Sequence, residues 1–94
     1  MNSPARETQR EHAHARLAAL KSHLSGRGIL ARHDPRSLAI LDDRGVQLDT
    51  ITCELRGSDG GRMWFANVDG WLTEADDVTG AGLMIAGDVL RPRG

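Results

Sequence analysis

The stretch Val46–Val68, VQLDTITCELRGSDGGRMWFANV, decides the fold. Residues 46–56 are rich in β-branched and aliphatic side chains, and 62–68 in aromatic and other apolar ones. The glycine-rich segment Gly57–Gly61 between them lacks the lysine of a phosphate loop. That pattern predicts a β-hairpin. Val46 and Leu48 fall on one face of the first strand, whereas Ile51, Cys53 and Leu55 fall on the other. Alternation has period two, so a change of phase requires an irregularity, predicted here as a bulge or bend near Asp49-Thr50.

Upstream, Asp42-Asp43-Arg44-Gly45 is a strong turn, with glycine placed for a left-handed residue. It is preceded by two short apolar runs, Ile29–His33 and Ser37–Leu41, separated by the breaker Asp34-Pro35. Further back, Ala13, Leu17, Leu20 and Leu24 recur at helical spacing. Ser3-Pro4 supplies a start signal, and Gly26 and Gly28 a stop. Downstream of the hairpin, Asn67–Gly70 reads as a turn that carries Trp71. Thr73 and Asp76 resemble a capping box, which predicts a helix over 74–90 with Val78, Gly82, Ile85 and Val89 on one face. Gly80, Gly82 and Gly87 argue against it, at up to ~1 kcal/mol each in a helix.

The expected fold is therefore α+β: an N-terminal helix, an antiparallel meander of three or four strands, and a C-terminal helix. Both helices are expected on one sheet face. The 94 residues fit one domain spanning 1–94, with 1–4 and 91–94 expected to fray.

Composition narrows the function classes. A single cysteine, Cys53, allows no internal disulfide and suits a reducing compartment. Met1–Gln9 is polar, unlike a signal peptide, and no run is long and apolar enough to span a bilayer, so a cytoplasmic location is expected. Residues 1–36 hold seven basic and three acidic side chains, whereas 37–94 hold five and ten. Such lopsided charge suits pairing with a charged partner or a second copy.

Chemical constellations are weak. His12 and His14 point to nearly opposite sides of a helix, and His12 and His23 lie ~16 Å apart along its axis. Neither pair can gather a metal ion on one helix. Cys53, with His33 as a conceivable base, sits mid-strand where a core residue belongs. The aspartates fall mostly in turns or a cap. No catalytic residue, cofactor or metal ligand is assigned, and an enzyme is not favoured. The most informative segment is Met63–Leu72. A strand there aims Met63 and Phe65 one way and Trp64 the other, and an exposed tryptophan among apolar neighbours marks a contact surface. Core placement of Trp64 and Trp71 is the competing reading. The leading expectation is a non-enzymatic protein–protein interaction module. It would be homodimeric through the open sheet face or an edge strand, with Trp64, Trp71, Arg62 and Met63 at the interface. The second is a nucleic-acid accessory protein using Arg6, Arg10 and Lys21 on the first helix. The third is a small ligand-binding domain or enzyme.

Overall fold

A computed structural model describes residues 4–89, with side chains from Thr8 onward. Helix α1 (Pro4–Gly26) leads into β1 (Leu30–His33), β2 (Leu38–Leu41), β3 (Gln47–Arg56), β4 (Arg62–Asn67) and β5 (Gly70–Glu74), and α2 (Val78–Val89) follows. The strands form one antiparallel sheet in the order β1-β2-β3-β4-β5, and the helices pack on it. This is the expected α+β meander between two helices, with Gly70–Glu74 added as a fifth strand. Ser3, the Arg6 side chain and the segments 1–3 and 91–94 lie outside the described residues. Pro4 is already helical.

The predicted stripe of α1 forms one wall of the core: Leu17, Leu20 and Leu24 are fully buried, and Ala13 packs against them. The sheet contributes Leu38, Ile40, Ile51, Cys53 and Phe65, and α2 contributes Ala81, Ile85 and Ala86. The Asp42 carboxylate accepts hydrogen bonds from the backbone N–H groups of Arg44 (2.9 Å) and Val46 (2.8 Å). Gly45 takes φ +82°, as the turn requires.

The phase change in β3 is a break in register. Ile40 faces Asp49 but Leu41 faces Gln47, so Leu48 is the extra residue, one position before the expected bend. Past this break the long strand changes partners. Its first half pairs with β2, ending at Ile51 opposite Leu38, and its second half, Thr52–Arg56, pairs with β4.

Two local expectations are corrected. Trp71 lies in β5, opposite Ala66, rather than in a turn. The second helix begins at Val78, not at residue 74: its cap is Asp77, whose carboxylate accepts the Gly80 N–H at 2.9 Å. Thr73 and Glu74 complete β5 instead. The predicted α2 face is the packed one, with Gly82 and Ile85 buried and Val78 and Val89 partly covered. Gly82 has a packing reason: a Cβ there would run into the His23 ring of α1. The helices approach closely because that side chain is missing. Arg16 of α1 also reaches Asp76, just after β5, at 2.6 Å.

Candidate functional site

The sheet face away from the helices carries the best-defined cluster. Cross-strand pairing sets its membership, because opposed residues share a face. Glu54 lies opposite Trp64, Arg56 opposite Arg62, and Ala66 opposite Trp71. Trp64, Trp71, Arg56 and Arg62 therefore converge on the open side, and Phe65 enters the core from the same strand as Trp64.

The two indoles meet edge to face, with centroids 6.5 Å apart. The Arg56 guanidinium carbon lies 4.4 Å from the Trp64 ring and 5.5 Å from the Trp71 ring. Arg56 thus makes a cation–π contact with both. Polar partners hold the group in place. The Trp64 indole N–H donates to the Asp59 carboxylate at 2.8 Å, and Arg56 Nε donates to the Ser58 hydroxyl at 3.1 Å. Both partners sit in the 3₁₀ turn Gly57–Asp59, so the hairpin loop also serves as a bracket. At the edge, Arg62 Nη1 binds Glu74 Oε1 at 2.9 Å, which holds the Arg62 pKa above its usual value. Trp71 keeps 42% of its surface exposed, whereas Trp64 is half-buried beneath Arg56 and its neighbours.

Three of the four anticipated interface residues, Arg62, Trp64 and Trp71, are brought together here. Met63 is not: it points to the opposite face and packs against the core. Arg56, Asp59 and Glu74 belong to the cluster and were not anticipated. The hairpin register was the available signal for Arg56, since it places that residue diagonally beside Trp64.

The other candidates separate. Arg10 and Lys21 are exposed on α1, and the Arg6 side chain lies outside the described residues. Cys53 is buried, and burial pushes its thiol up to about 11. A thiol so shifted stays protonated at neutral pH and is a poor nucleophile. His33 stacks on His14 at 4.3 Å between ring centroids. Burial, reinforced by the positive charge of His14 and Lys21, lowers the His33 pKa. Among the described residues no three His, Cys, Asp or Glu side chains gather as a metal site, and no helix is long and apolar enough to cross a membrane. No family model, curated protein or solved structure matches the chain.

Proposed function

We propose that this protein is a non-enzymatic interaction module that pairs with a second copy of itself through the open sheet face. The observation that carries this reading is the Arg56–Trp64–Trp71 stack, an aromatic cluster left partly in solvent yet fixed by its own hydrogen bonds. Fixed aromatic and arginine side chains lose little entropy when a partner covers them, which is why such groups anchor interfaces. The surrounding charge favours a second copy over a partner of one sign. Arg56 and Arg62 lie among Glu54, Asp59 and Glu74. A two-fold axis that passes between the arginines and the carboxylates of such a mixed patch would set each sign against its opposite.

Both tryptophans of the chain lie in this patch, so intrinsic fluorescence reports directly on it. Sedimentation should show a concentration-dependent dimer, and dilution should red-shift the emission as the indoles return to water. Trp71→Ala should move the equilibrium toward monomer by at least tenfold without unfolding the domain. A monomer at several hundred micromolar, with emission unchanged on dilution, would overturn the proposal.

A further inference from the structure

A second surface comes from the unequal lengths of β2 and β3. Strand β3 runs for ten residues and β2 for four. The last β2 pair is Leu38 with Ile51. Beyond it, the chain that would have continued alongside β3 instead turns back at Asp34–Ser37. Asp34 N–H donates to the Ser37 carbonyl at 2.9 Å, and Pro35 stands in the turn with no N–H to offer. Thr52–Arg56 therefore has β4 on one side and, among the described residues, no strand on the other.

This free edge is not open to the whole surface. The first half of α1 runs over it and leaves a groove. One part, of about 440 Å³, is lined by Arg10, His14, Leu17, Arg36 and the edge residues Thr52–Glu54. The adjoining part, of about 470 Å³, continues along Cys53, Glu54, Leu55 and Met63. The two share Arg10, Ala13, Cys53 and Glu54, so they adjoin as one open groove along the strand edge. An unpaired edge is a template for another strand, and a roof over it selects a single extended chain over a second folded sheet. The strand side of the groove is mixed, with Cys53, Leu55 and Met63 apolar and Thr52 and Glu54 polar. Arg10 and Arg36 stand at its walls with no ion pair among the described residues, against the single carboxylate of Glu54.

We propose that the groove between α1 and the free Thr52–Arg56 edge of β3 receives an extended acidic peptide, added as a short strand in the line that β2 vacates. The peptide backbone pairs with β3. Its apolar side chains meet Ala13 and Leu55, and its carboxylates meet Arg10 and Arg36. Five edge residues at ~3.3 Å each give a pairing length of ~16 Å. This site borders the tryptophan face at Glu54 and Arg56 but includes neither Trp64 nor Trp71.

The test uses the full chain and a fluorescein-labelled peptide of about eight residues that alternates glutamate and valine. Fluorescence anisotropy should show saturable binding. R10E combined with R36E should weaken it at least tenfold and improve binding of the same peptide with lysine for glutamate. Methylating alternate peptide nitrogens should abolish binding, because it removes backbone pairing and keeps the side chains. Amide exchange at 52–56 should slow when the peptide is bound. Trp71→Ala should leave the affinity unchanged, so failure of the dimer and failure of the peptide site read out separately. No saturable binding up to millimolar peptide, or binding indifferent to nitrogen methylation, would overturn the proposal.

Discussion

Trp64 and Phe65 are neighbours in sequence and lie on opposite faces of the same strand. Phe65 is completely buried in the apolar core cluster that also holds Leu17, Ile51 and Ile85. Trp64 has a carboxylate on its N–H and a guanidinium over its ring, and it stays half-buried at the solvent boundary. Both rings bring a large apolar area, but only Phe65 spends it on holding the domain together. The helix-covered face gives stability through shape, and the open face gives an ordered surface through directional polar contacts.

The largest expected effect breaks that comparison directly. Phe65→Ala should cost ~3–5 kcal/mol, the usual range for a fully buried aromatic. Against a total of roughly 5–15 kcal/mol, that leaves a barely folded domain. Trp64→Ala should cost ~2 kcal/mol, the combined scale of an exposed cation–π contact and one hydrogen bond to a carboxylate. Urea unfolding followed by circular dichroism measures both. Equal losses would mean that the open face is a second core and not a recognition surface.

Cys53 extends the comparison to pH. Its ordinary value of 9.0 rises to about 11, mainly through burial. The unfolded chain therefore releases the thiol proton first as pH rises. The resulting stabilisation is complete below pH 9 and is lost between pH 9 and 11. A shift of that size corresponds to a loss on the order of 2 kcal/mol. The chain has no tyrosine and a single lysine, Lys21, so few other groups titrate in that window. Cys53→Ala should flatten stability against pH there. An unchanged slope would place the thiol in contact with water.

Two glycines of α2 give a smaller, two-signed test of the covered face. A Cβ on Gly87 meets open space, so Gly87→Ala should stabilise by ~0.5–1 kcal/mol through helix propensity. A Cβ on Gly82 meets His23, so Gly82→Ala should destabilise by ~1–2 kcal/mol despite the same propensity gain. Thermal unfolding of the pair reads the sign. Stabilisation by both would show that α1 and α2 have room to separate.

The elements that sequence reasoning located are those whose periodicity and punctuation agree. The Leu17–Leu24 stripe, the Asp42–Gly45 turn and the 57–61 loop each carry two independent signals, and each lies where it was expected. Strand β5 was missed because Gly70–Glu74 is short and runs into Ala75–Asp77, where acidic residues imitate a helix start. The real cap, Asp77, has glycine three residues later instead of a capping-box partner. The orientation of Trp64 and Met63 followed from alternation, but which face stayed open depended on where both helices landed. The Arg56 contact depended on the register of the 56–62 hairpin, which the five-residue loop sets and which the alternation of either strand alone does not show.

His33 gives the smallest and most local test of the covered face. It ends β1 and stacks against His14 of α1, and its Nε2 is buried without a hydrogen-bond partner. Burial, the charges of His14 and Lys21, and the opposing pull of Asp34 leave its pKa below the ordinary 6.5. As pH falls through 6.5 the unfolded chain takes up this proton before the folded chain does. The stabilisation from a neutral His33 is therefore intact above pH 6.5 and is lost as pH falls through the lower, folded value. Protonation also adds a cation beside the α1 surface that carries His14 and Lys21. His33→Phe keeps the stack and removes the proton, so its stability should decline less between pH 6.5 and 5 than that of the parent chain. Parallel decline of the two proteins would show that the α1–β1 contact opens enough to hydrate the ring, and that the covered face is loosest at its β1 edge.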